Sequence, residues 1–120
     1  MAKMRELQSD YVGKLEISSE EVVVRKKVLG DVHIGAGGTL RLHGMVVGDV
    51  TISSGGKLFL HGMAVGNVNV EAEAYATILG MVNGVVRNNG GKLEVHGMVN
   101  GNLHTFSGNT YIDPEAVINP

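Results

Sequence analysis

From Leu40 to Val68 the chain reads LRLHGMVVGDVTISSGGKLFLHGMAVGNV, with apolar residues on alternate positions. Leu40, Leu42, Val46, Val50 and Ile52 share one parity; Arg41, His43, Met45, Val47, Asp49 and Thr51 share the other. A period of two is the mark of a strand with one buried face. Glycines cut these runs every few residues, so the expected elements are short strands joined by tight corners.

The pattern recurs along the chain. Gly13, Gly30, Gly48, Gly66, Gly84 and Gly101 lie 17, 18, 18, 18 and 17 residues apart. Gly44, Gly62, Gly80 and Gly97 keep the same step, as do the pairs Gly37-Gly38, Gly55-Gly56 and Gly90-Gly91, with Glu73-Ala74 in place of one pair. The unit, roughly L-x-L-H-G-M-V-x-G-D/N-V-x-I-x-x-G-G-x, recurs six times over about residues 11–118. It is too short and too rich in β-branched residues for a helical pair. Three strands per unit close one turn, and stacked turns pair each strand with its equivalents above and below. The expected fold is therefore all-β: a parallel β-solenoid of about six turns of 17–18 residues. At ~4.8 Å per turn it would form a rod roughly 29 Å long.

Four inward ladders follow from the repeat. They are Val24, Leu42, Leu60, Ile78 and Val95; Val28, Val46, Ala64, Val82 and Val99; Val32, Val50, Val68, Val86 and Leu103; and Ile34, Ile52 and Val70. Each fully buried aliphatic side chain stabilises by about 1.5–3 kcal/mol, which offsets the entropy of ordering a glycine-rich chain. Residues 11–120 form the expected single domain, with residues 1–10 as a short leader or cap.

Composition narrows the function. Glycine contributes 18 of 120 residues, about twice the usual ~7% share. Proline is scarce, and cysteine is absent, so neither a disulfide nor a cysteine metal site contributes. Lys and Arg number 10 against 12 Asp and Glu, which leaves no basic stripe for nucleic acid. The charged N-terminal stretch lacks the apolar core of a signal peptide, and no later segment suits a bilayer. Membrane association is not expected, and cytoplasmic residence is the default.

The candidate chemistry is sparse. His43, His61 and His96 share an outward column with Leu79. Adjacent turns would bring His43 and His61 within about 5 Å, near enough to share a metal. No third ligand completes a tetrahedron, so no metal or cofactor is expected. No nucleophile–base–acid set and no phosphate loop emerges, and an enzyme is not expected. The methionines stand out instead. Met45, Met63, Met81 and Met98 fall on outward parity in four consecutive turns, beside His43, Phe59, His61, Leu79 and His96. Contiguous apolar surface of this kind marks protein contacts, and Met suits them because it is adaptable. The competing expectation is that the corner at Gly44 resets the alternation and turns the Met column into the core.

The phrases VLGDVHI, VVGDVTI, AVGNVNV, VNGVV and VNGNL each precede a glycine-rich or acidic corner and a strand of the L-x-L/V-H-G type. In this the chain resembles the bactofilins, bacterial polymer-forming cytoskeletal proteins, over about residues 13–105. The resemblance implies a right-handed, three-sided β-helix and non-polar filaments made by end-to-end contact without nucleotide. Bactofilins often carry disordered tails and an apolar N-terminal membrane motif. Here the charged leader, Pro114 and Pro120 read as caps, since proline lacks the amide a growing sheet uses.

Two other functions fit parts of the pattern. A soluble solenoid could grip another protein through the Met/His stripe, as an immunity protein neutralising a toxin would. Apolar residues six apart from Val22 to Val70 also suit the left-handed hexapeptide coil of some acyltransferases, although Arg41, Val47 and Ser53 stand where those coils keep small residues. The leading expectation is a structural protein whose partner is itself or another protein.

Overall fold

A computed structural model describes residues 3–120. The first turn comprises β1 (Lys3–Leu7), β2 (Tyr11–Val12) and β3 (Leu15–Ile17). The second comprises β4 (Glu20–Val24), β5 (Lys27–Leu29) and β6 (Val32–Ile34). β7 (Thr39–Leu42), β8 (Met45–Val47) and β9 (Val50–Ile52) make the third. β10 (Lys57–Leu60), β11 (Met63–Val65) and β12 (Val68–Val70) make the fourth. β13 (Tyr75–Ile78) and β14 (Met81–Asn83) lead into β15 (Val86–Val95), which closes the fifth turn and opens the sixth. β16 (Met98–Asn100) and β17 (Leu103–Ile112) follow, and β18 (Val117–Ile118) belongs to a partial seventh turn. The described residues contain no helix.

Every strand pairing is parallel, and each strand pairs with its equivalent one turn away. Met45 lies opposite Met63, Met63 opposite Met81 and Met81 opposite Met98. The sequence steps between these partners are the steps of the glycine columns, so a repeat of nearly constant length becomes a constant register. β2, β5, β8, β11, β14, β16 and β18 form one seven-stranded face. The other two columns merge into an eleven-stranded sheet because β15 runs round a corner, placing Val86–Asn88 beside β12 and Lys92–Val95 beside β13. The result is a parallel β-solenoid, 33 Å in its longest dimension.

The coil begins earlier than the repeat. Residues 3–7, expected as part of a short leader or cap, form β1 and pair with Glu20–Val24. At the other end the chain turns at Pro114, where the Ala116 N–H donates to the Asp113 carbonyl at 2.9 Å, and goes on to pair β18 with β16. Pro114 occupies a corner and does not stop the coil.

All four expected ladders line the interior, with Leu103 only partly buried at the end of the third. A fifth accompanies them: Val22, Leu40, Leu58, Ala76 and Leu93, each at most 1% exposed. The ladder of Ile34, Ile52 and Val70 gains Ile17 below and meets Asn88 above. Asn88 is fully buried, and its amide donates to the Gly91 and Asn109 carbonyls at 3.2 and 3.0 Å. Its side-chain oxygen accepts from the Gly90 and Gly91 N–H groups. An apolar ladder is thus exchanged for a polar residue with its hydrogen bonds satisfied at the end of the fifth turn.

Tight stacking dictates one glycine column outright. A Cβ at Gly62 would overlap the carbonyl oxygen of Gly44 in the turn below, and Gly80 and Gly97 meet their predecessors in the same way. The backbone crosses too closely there for any side chain.

Candidate protein-interaction face

The seven-stranded face carries the methionines. Its strands are three residues long at most, so the middle residue points inward and the flanking two point out. Val46, Ala64, Val82 and Val99 are the buried middle residues. Met45, Met63, Met81 and Met98 therefore lie on the outer surface, half-buried against one another, with Lys27 below Met45 and Val117 beyond Met98. The corner at Gly44 does not turn them into the core, because Met45 and Val47 flank the inward Val46 on β8.

A second outward column runs beside the first. Val12, Leu29, Val47 and Val65 occupy its first four turns, and Asn83, Asn100 and Asn119 continue it. Val12 is 77% exposed, and Leu29 and Val47 are 41% exposed each. The asparagines form a chain: Asn100 donates to Asn83 at 2.9 Å and Asn119 to Asn100 at 3.0 Å, while Asn83 donates to the Met63 sulfur at 3.7 Å. Sequence reasoning placed Val47 on outward parity but left Leu29 and Val12 out of the interaction set. The available signal was their position two residues after the Met column or its equivalent.

The histidines line the corner bordering this face. His43 and His61 are exposed and stack with ring centroids 4.7 Å apart and planes 9° from parallel. Partial desolvation, then the charges of His61, Arg25 and Arg41, push His43 below the usual imidazole range. Leu79 continues the column at 43% exposure. His96 is tied elsewhere, with Nδ1 3.1 Å from Asp113 and Nε2 3.3 Å from Glu94. Those hydrogen bonds, that to Asp113 first, raise its pKa. Glu94 is lowered chiefly by its bond from Tyr75 and then by His96. Asp113 is lowered chiefly by the Glu115 N–H and then by His96.

Phe59 does not join this surface. It lies on the outside of β10, one corner away from Met63, where the Arg41 guanidinium sits 4.6 Å above its ring and Tyr75 packs at 5.8 Å. The nine expected contact residues are thus distributed over a Met face, a His/Leu corner and one aromatic on the neighbouring face.

Among the described residues no group of three or more His, Asp or Glu converges as a metal site. One arrangement does resemble an acyl-transfer relay: Glu16 lies 2.8 Å from His33 Nδ1, and Ser53 Oγ lies 2.7 Å from His33 Nε2. It borders a depression of about 280 Å³ lined by Lys14, Asp31, Asp49, Thr51 and Asn69. A relay also needs paired donors for an oxyanion. Here the N–H groups of Ser53, Gly55 and Gly56 already donate to Ile34, Glu73 and Ser53 carbonyls. The three side chains bind successive turns together.

The fold defines a parallel β-solenoid whose most distinctive surface is a seven-stranded sheet face carrying exposed methionine, valine and asparagine columns. Comparison with protein-family models, curated proteins and solved structures finds no match for the chain. No helix among the described residues is long and apolar enough to cross a membrane.

Proposed function

We propose that the chain is a non-enzymatic structural protein, similar to the bactofilins, that assembles from stacked copies of its own coil. The observation carrying this reading is the concentration of exposed apolar side chains in the final turn. Of nine large hydrophobics exposed in the described structure, Phe106, Tyr111, Ile112 and Val117 lie on β17 and β18; Ile112 continues an inward ladder opposite Val95, whereas Tyr111 and Val117 lie on outward positions opposite Glu94 and Met98. β17 and β18 have no strand beyond them among the described residues, so their outer edges offer unpaired backbone groups in the register that the coil already uses. Joining a second copy there would continue both the sheet and the apolar ladders. In this reading the protein works in the cytoplasm and needs no nucleotide, cofactor, metal or nucleic acid.

The flat Met face supports a second reading, a soluble module that grips another protein, for example an immunity protein against a toxin. Negative-stain electron microscopy with light scattering separates the two. Filaments or extended oligomers are expected of the purified protein, and Ile112→Arg shortens them. A monodisperse particle of single-chain mass at high concentration would overturn self-assembly and leave the binding module.

A further inference from the structure

The two edges of the Met face carry opposite charge. Along one edge, just before β5, stand Arg25 and Lys26, with Lys27 beginning the strand. Glu6 binds Arg25 at 2.6 Å, and Asp10 accepts from the Lys27 N–H, but Lys26 and Lys27 have no side-chain ion pair among the described residues. They border a depression of about 450 Å³ that Asp10, Gly44 and Met45 also line. Along the opposite edge stand Asp31 and Asp49, both exposed. Each gives one carboxylate oxygen to a backbone N–H of the next turn, at 2.8 and 2.9 Å, and among the described residues the other oxygen has no partner. Lys14 on that side is paired with Glu16.

A two-fold axis can bring this face against itself in two ways. With the axis along the strands, the coils run antiparallel and like edges meet, basic against basic. With the axis along the coil, the coils run parallel with their turns level. Each basic edge then meets the acidic edge of the other copy at the same height: Lys26 and Lys27 opposite Asp31, and Asp49 one turn on. The same operation lays Met45 and Met63 over Val47 and Val65 of the second copy. Met81 and Met98 fall on the asparagine chain, whose amides are already bonded to one another and tolerate being covered.

We propose that this face pairs with the same face of a second copy, coil axes parallel and turns level, with the Lys26/Lys27 edge of each copy against the Asp31/Asp49 edge of the other. The proposal rests on the reading of the chain as a self-assembling scaffold but uses a surface separate from the coil ends. From strand dimensions the face measures about 10 Å by 29 Å, so a pair buries about 600 Å². That is below the roughly 1,200 Å² of a standard interface, and the pair is therefore weak and concentration-dependent.

Reciprocal charge exchange tests it by sedimentation equilibrium. Lys26→Glu/Lys27→Glu makes both edges acidic, and Asp31→Lys/Asp49→Lys makes both basic. Each variant alone is expected to pair at least tenfold more weakly than the parent, and an equimolar mixture is expected to recover parental affinity. Circular dichroism checks that each folds, and Leu29→Arg, on the exposed apolar column of the face, weakens pairing with both edges intact. Unchanged pairing in the variants, or a mixture no tighter than its components, would overturn the proposal. So would variants that each pair as the parent does while their mixture pairs tighter than the parent, which is the antiparallel result. If filaments form while none of these substitutions alters association, the scaffold reading survives and this face is not used. A parent protein that stays single-chain throughout sinks both.

Discussion

At Glu73 the backbone adopts φ +64°, a left-handed conformation that its equivalents Gly37 and Gly55 take at +74° and +82°. A side chain there costs about 1–2 kcal/mol. Glu73 returns only part of this through an exposed hydrogen bond from Ser54 at 3.2 Å. Glu73→Gly is therefore expected to stabilise the fold by about 0.5–1 kcal/mol after the extra chain entropy of glycine is subtracted. Chemical denaturation measures it, and a destabilised variant would show that the Ser54 contact outweighs the strain. The missing Gly-Gly pair was visible in the sequence as a break in the column, but the alternation alone did not show that Glu73 would keep the glycine conformation. The neighbouring turns impose it, because strands on either side leave the corner no other path.

Among the elements, the last turn is held by polar contacts on both its sides. Asn88 binds it from inside, and the bridge from His96 to Asp113 binds it from outside. The sign of the pH response follows from the shifts. His96 has a folded pKa above its unfolded value near 6.5, so its contribution is complete below that value and fades as pH rises through the raised one. Asp113 and Glu94 are lowered, so their contributions hold above ordinary carboxylate pKa values and vanish in acid. His43 is lowered, so its protonation in acid works against the fold. His96→Gln should therefore lose more stability at pH 6 than at pH 8, and amide exchange in residues 109–118 should quicken more at pH 6. Equal losses at both values would show that the ring acts by packing alone. The His column was legible in the sequence, but the partners of His96 were not: Asp113 lies 17 residues on and faces it only once the coil has closed another turn.

For the whole molecule, the division between core and surface decides what the methionines do. Val46, Ala64, Val82 and Val99 fill the interior behind the seven-stranded face, so the coil does not depend on Met63 or Met81 for its packing. Met63→Lys with Met81→Lys is expected to leave the circular dichroism spectrum unchanged and stability within about 1 kcal/mol of the parent, as for other surface substitutions. Collapse of the fold would place the Met column in the core. In the folded parent the same two side chains remain a continuous apolar strip, as a protein-contact surface requires.

Repeat length, parallel register and four of the five inward ladders could be read from the sequence, because in a solenoid each turn contacts only its neighbours, and a period of two sorts every strand residue to one side. The start of the coil could not, because Lys3–Leu7 lacks the glycine signature and is recruited only by pairing with Glu20–Val24. Nor could the fate of Phe59, since parity assigns a residue to the outside without saying which of three outer faces it occupies. The corners alone settle that. They place the methionines beside Val12, Leu29, Val47 and Val65, Phe59 round the bend, and lysines and aspartates on opposite edges of one face. Alternation is a local property of the strand, whereas adjacency across a corner depends on the angle at which the chain turns, and only the stacked tertiary structure fixes that angle.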